Sequence, residues 1–125
     1  KVSMAEVGGY LAAADCLLVN LRPDPLFEIT IPSKTQAYMS AGRPIIIAVA
    51  GDAATLVEAA NAGIAVPPGD TKALAGAVLK MAALDRKART DMASSARNYY
   101  DRHLSLRCGV NAFDMLFRNL IRGEK

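Results

Sequence analysis

Ser33, Lys34 and Thr35 follow Pro32 in an unbroken row, two hydroxyls around one ammonium. The residues after them read as a helix, so the row sits at a helix start. Such a start carries N–H groups with no intrahelical acceptor and a partial positive charge, both of which favour an anion, phosphate above all. Ser33 and Thr35 add hydroxyl donors and Lys34 adds a mobile cation. The set suits a diphosphate without needing a metal. It is not a Walker loop, because the spaced glycines before the lysine are absent. The same residues also read as an ordinary helix cap beside an ordinary surface lysine, and spacing alone leaves both readings open. Gly51-Asp52 offers a second wall, since glycine lets a backbone come close to a ligand; its other reading is a tight turn with an Asp cap. Arg22 is a further cation for phosphate or a plain surface residue.

The elements that position these groups follow from periodicity and turn chemistry. Ala5 to Ala14 reads as a helix with Val7, Tyr10, Leu11 and Ala14 on one side. Cys16 to Asn20 (CLLVN) is a short apolar run suited to a strand buried on both faces. Leu21 to Pro32 is a twelve-residue loop with three prolines, and loops of that length in compact domains are often functional. Ser33 to Ala41 is a predicted helix, capped by Ser33 and stopped by Gly42. Pro44 to Ala50 (PIIIAVA) is the plainest strand, a β-branched run expected inside a parallel sheet. Asp52 caps a helix over Ala53 to Ala62 that Gly63 ends, and Ile64 to Val66 is a third strand. Asp70 caps the next helix, where Leu74, Ala77, Val78 and Met81 share one side and Met81 belongs to the core. Two more helices are expected, Arg86 to Tyr100 and Leu106 to Ile121. The apolar stripe of the second (Val110, Phe113, Met115, Leu116, Phe117, Leu120) must cover something.

Alternation of helix and strand means right-handed crossovers and an α/β fold, a partial Rossmann-like parallel sheet flanked by helices. In such sheets ligands sit beyond the carboxyl ends of the strands, here Asn20 with its loop and Ala50 with Gly51-Asp52. Three strands and a helical beginning read as the later part of a larger domain, 1–125, closed by a helical tail over 86–122.

Composition narrows the partners. The net charge is +3, and from Asp85 onward nine Lys and Arg face five Asp and Glu. That excess reads as a solvated face, or as a contact with an anionic membrane surface or acidic substrate. Nucleic acid is not expected, because no aromatic-basic platform accompanies the charge. No apolar run spans a membrane, and KVSMAEVGGY is not a signal peptide. Cys16 and Cys108 show no metal or redox spacing; Cys16 reads as a small buried apolar residue, and a reducing cytosol fits. His103 is the single histidine and has no supporting cluster for zinc or a Ser-His-Asp triad, so it reads as a solvated helix-end residue.

Five stretches in order carry a resemblance: Ala14-Asp15 before a strand, Pro32-Ser33-Lys34 before a helix, Tyr38-Met39 running to Ala41-Gly42-Arg43-Pro44, Ala62 to Asp70 (AGIAVPPGD), and a helical tail. Over Val7 to Arg102 the chain resembles the carboxy-terminal half of the family 4 retaining glycosyltransferases of GT-B fold, in the flavour that builds bacterial surface polysaccharides. The resemblance implies a two-domain enzyme whose carboxy-terminal half holds a nucleotide-sugar donor and whose amino-terminal half holds the acceptor. It implies no cofactor and no metal beyond that donor, a cytoplasmic protein with peripheral contact at the inner membrane, and a last helix that crosses back to the missing half. Packing of that helix on its own sheet is the alternative.

Many relatives carry two Glu residues separated by seven others, and those positions are Ile29 and Ala37 here. Both carboxylates are absent in register. Glu28 neighbours the first position, where relatives contact the donor sugar. Gln36 neighbours the second, which in relatives holds the ribose. A one-residue shift on a helix rotates a side chain by about 100°, so neither neighbour is a direct replacement. The expected catalytic residues are Lys34 and Glu28, and the expected donor contacts are Ser33, Thr35, Gln36, Arg22, Gly51 and Asp52. Two other functions compete: a nucleotide-sugar epimerase of the same fold, which would need carboxylates and a histidine not placed here, and a non-catalytic binding domain that kept the fold and lost the site.

Overall fold

A computed structural model describes residues 2–123. Its order is α1 (Met4–Ala13), β1 (Leu17–Asn20), α2 (Pro25–Glu28), α3 (Ser33–Ser40), β2 (Ile45–Ala48), α4 (Asp52–Ala59), β3 (Gly63–Val66), α5 (Thr71–Ala83), α6 (Arg86–Tyr99), a π-helical turn (Tyr100–Leu104) and α7 (Leu106–Arg122). The strands form one parallel sheet in the order β1-β2-β3, with Leu17 opposite Ile45 and Ile45 opposite Gly63. The expected α/β class is what the chain adopts, and the GT-B part of that expectation is taken up with the comparisons below.

The β-branched run at Ile45–Ile47 is central for a simple reason. Every residue of β2 is buried, as a strand covered on both faces requires. Alternation sends Ile45 and Ile47 to one face, with Val19, Met39, Ala53 and Val57, and Ile46 to the other, with Ala77 and Met81. Thus α3 and α4 cover one face and α5 the other. α6 reaches both, through Ala96 on the first side and Met92 at the edge of the second. Met81 is core, as its spacing predicts.

Several local expectations need correction. Ser33 does not cap α3; Pro32 is the N-cap, with extended ψ, and Ser33 is the first helical residue. Asp52 does not cap α4. Gly51 takes that place at φ 77°, and Asp52 opens the helix. α4 ends at Ala59, Asn61 takes the left-handed position at φ 49°, and Gly63 begins β3. Gly42 does stop α3, at φ 61° with its N–H bonded to Met39 O at 3.0 Å. Asp70 caps α5 through Ala73 N at 2.8 Å. The proline-rich loop is partly ordered by its own chemistry, since Asp24 accepts from Leu26 N at 2.9 Å and Pro25 fits the first turn of α2. Cys16 is only half-buried, and that burial still raises its thiol pKa above the ordinary value. His103 is exposed and lies against Tyr99, with ring centroids 4.6 Å apart.

The stripe on α7 does not pack on its own sheet. Val110, Phe113, Met115, Leu116, Phe117 and Leu120 are all more than half exposed, and Phe113 and Phe117 stack on one another with centroids 6.2 Å apart. Phe117→Ser is therefore expected to leave the thermal stability of this chain within about 0.5 kcal/mol of the parent. A loss near 3 kcal/mol, the scale for emptying a buried aromatic site, would show that the face is covered in solution. No helix among the described residues is long and apolar enough to cross a membrane.

Candidate functional site

The carboxyl end of β1 and the start of α3 enclose a cavity of about 300 Å³. The chain leaves β1 at Asn20 and Leu21, turns through α2, and returns at Thr30, Ile31 and Pro32 to deliver Ser33 and Lys34. Phe27 forms the apolar floor, with Val19 and Ile31 beside it. Thr30 braces the return by donating from Oγ1 to Leu26 O at 2.9 Å. Ser33 and Lys34 are both exposed at the rim. Their N–H groups are the first two of the helix and precede any intrahelical acceptor. An anion therefore has both room and donors at this helix start.

Thr35 behaves differently from its neighbours. It is fully buried, and its N–H donates to Pro32 O at 2.8 Å. Its Oγ1 has no partner and sits among core side chains, so the hydroxyl is not presented to a ligand. That corrects the expectation that Thr35 supplies a second hydroxyl. Gln36 is half-buried and lies outside the cavity lining.

A second, narrower cleft of about 30 Å³ lies beside the first and shares Phe27 with it. Arg22 and Glu28 line it, with Asp24, Val49, Ala50 and Pro68. It is the crevice beyond the end of β2, where open α/β sheets place ligands. Gly51 follows the lining residue Ala50 in the chain. A Cβ on Gly51 would lie 1.9 Å from Glu28 O, so the turn after β2 and the end of α2 touch backbone to backbone. Glycine is thus required at this position by both the positive φ and the contact. Asp52, exposed at the first turn of α4, lines neither space.

The sequence-based candidates therefore divide. Ser33 and Lys34 share the larger cavity, Arg22 and Glu28 share the adjoining cleft, and Gly51 packs α2 against the sheet. Thr35, Gln36 and Asp52 stand apart. Asn20 and Phe27 are in the lining and were not among the candidates. Asn20 was legible as the last residue of β1, the place where ligands gather. Phe27 carried no such signal, because its position depends on a single helical turn inside the loop. Among the described residues no three His, Cys, Asp or Glu side chains converge as a metal-binding group.

Comparison with known proteins bears on this geometry. A family described as glycosyl transferases group 1 matches residues 1–83. No curated protein matches the sequence. Among solved structures, sucrose-phosphate synthase from Thermosynechococcus elongatus is similar, with a TM-score of 0.79 at 21% identity over 98% of this chain. This chain spans 29% of that protein's length. At that identity the likeness is one of fold: the three-stranded sheet and its helices match part of a GT-B structure.

Proposed function

We propose a donor-binding role from a premise that residues 1–83 supply: the chain belongs to the glycosyl transferases group 1 family. In this reading the 300 Å³ cavity at the start of α3 receives the diphosphate of a nucleotide-sugar. The observation that carries it is the exposure of Ser33 and Lys34 on a cavity at a strand's carboxyl end. Arg22 and Glu28, in the adjoining cleft, face the phosphate and sugar ends respectively. Asn20 supplies an amide to a donor hydroxyl.

The chemistry is transfer with retention. The bond between the anomeric carbon and the β-phosphate oxygen breaks, and that oxygen takes the electron pair. The acceptor hydroxyl bonds to the same face of the sugar and passes its proton to the departing phosphate oxygen. The negative charge that grows on the departing diphosphate is met by the Ser33 and Lys34 amides and by the Lys34 ammonium. Donors fixed before the reaction are often the largest electrostatic contribution to catalysis. The missing Glu pair at Ile29 and Ala37 fits an active enzyme only if backbone and Asn20 contacts replace carboxylate contacts to sugar and ribose. The acceptor in this reading is a growing polysaccharide or lipid-linked saccharide of a bacterial cell envelope, held by an amino-terminal half that α7 would touch through its apolar stripe. The protein would then act in the cytoplasm, at the inner face of the membrane.

Calorimetric titration with UDP and GDP tests the reading. The expected result is saturable binding that prefers one of the two nucleotides and that Lys34→Ala weakens. Absence of binding by a folded chain would favour the non-catalytic alternative.

A further inference from the structure

A larger hollow lies at the opposite end of the sheet from the proposed donor cavity. It measures about 770 Å³ and is lined by Arg43, Arg86, Arg89 and Arg97, with Asp15 as the one carboxylate. Asp15 and Pro44 mark the amino ends of β1 and β2, so this groove is separated from the donor cavity by the length of the strands. Three of the arginines come from α6 at positions 86, 89 and 97, which share one helical face. The fourth comes from the turn between α3 and β2.

Three of these guanidinium groups are each held by a backbone carbonyl. Arg97 donates from Nη1 to Ser40 O at 2.7 Å and from Nε to Asp101 at 2.9 Å. Arg89 donates from Nη1 to Leu84 O at 2.6 Å, and Arg43 donates from Nη2 to Ala12 O. Each of these bonds uses part of a five-donor fork and leaves other N–H groups free to turn to a ligand. Arg43 Nε is buried with no protein partner. Arg86 is exposed at the rim, in the first turn of α6. The acids nearby are largely occupied, Asp101 by Arg97 and Asp85 by capping Ala88 N at 2.7 Å. Asp15 alone opposes the four cations from within the lining.

The geometry points to a second anion site, in which the Arg43, Arg86, Arg89 and Arg97 groove binds a phosphate-bearing ligand of two or more negative charges. Planar forks match phosphate oxygens in pairs, and several forks fixed by carbonyls lose little freedom on binding. One carboxylate ligand would leave most of the charge in the groove uncompensated. The phosphates can belong to a soluble diphosphate or to anionic lipid headgroups, which share this chemistry. The site does not depend on the donor reading, because it uses none of the donor-cavity residues.

The test is titration of the 125-residue chain with inorganic pyrophosphate, read by backbone amide chemical shifts. Saturable shifts are expected at Gly42, Arg43, Arg89 and Ala93, a set distinct from any at Ser33 and Lys34. Arg86→Gln, at an exposed position, should weaken the groove affinity about tenfold, the scale of one charge-assisted hydrogen bond. Arg107→Gln, on α7 away from the groove, should leave it unchanged. Vesicles of phosphatidylglycerol that bind the parent, and that pyrophosphate displaces, would identify a lipid source; pyrophosphate binding without vesicle binding would identify a soluble one. Immobile groove amides at millimolar pyrophosphate would overturn the proposal. So would equal weakening by Arg107→Gln, which would mark the binding as diffuse charge.

Discussion

Under the proposed transfer reaction, Lys34→Ala is expected to lower kcat by about 10²–10³-fold, the cost of removing one preorganised donor from a site of developing negative charge. Binding of the free nucleoside should change far less. The contrast follows from where Lys34 stands. Its ammonium and its N–H share the rim of the cavity at the start of α3, where the diphosphate is proposed to lie. The ground-state nucleotide spreads its contacts over base, ribose and phosphate. The charge that appears during bond cleavage is concentrated on the leaving oxygen. A group that acts on that charge lowers the barrier more than it tightens binding. Lys34→Arg keeps the charge but changes its shape and should recover part of the activity. Steady-state kinetics with separate kcat and KM decide the matter: unchanged turnover in Lys34→Ala removes the residue from the mechanism.

Gly51→Ala should cost more than about 2 kcal/mol of stability, combining strain at a positive φ with a backbone collision. The added Cβ would stand 1.9 Å from Glu28 O and 2.5 Å from Glu28 C, distances that require either α2 or the turn after β2 to move. Neither can move freely. The turn follows the fully buried β2, and α2 is tied to the sheet through Phe27 in the main cluster. For a chain of this size the melting temperature should fall by about 8 °C or more. Because α2 carries Phe27 and Glu28, the same substitution should also loosen nucleotide binding. A variant that melts within about 1 °C of the parent would show that α2 does not rest on Gly51 in solution.

What could be read in the sequence depended on how local the cause was. Ile45–Ile47 announced a central strand because three consecutive β-branched residues leave few other stable conformations. Gly42 announced its stop because a left-handed residue after a helix is most often glycine. That the strands run parallel followed from alternation alone. The site was only half legible. Ser33 and Lys34 could be placed because a helix start and a strand end are both local signals. The fate of Thr35 could not, since a threonine in a first turn looks polar until the fold buries it. Gly51 was read as a point of close approach and Asp52 as the cap of α4; the close approach is to Glu28, and the cap position falls one residue earlier, on Gly51. The arginines of α6 looked like a solvated face. Their common groove appears only when the fold brings Arg43 and Asp15 from the strand starts beside them. The stripe on α7 was plain as a pattern, yet the pattern could not say that its own sheet leaves it uncovered.

The claim on which the functional account rests is that the helix start at Ser33 and Lys34 grips a nucleoside diphosphate. Amide chemical shifts of the chain during titration with UDP and GDP measure this most directly. The account predicts large saturable shifts at Ser33, Lys34 and Asn20 with the preferred nucleotide, and much smaller ones with the matching uncharged nucleoside. Shifts confined to other surfaces, with those three amides unmoved at saturation, would contradict it.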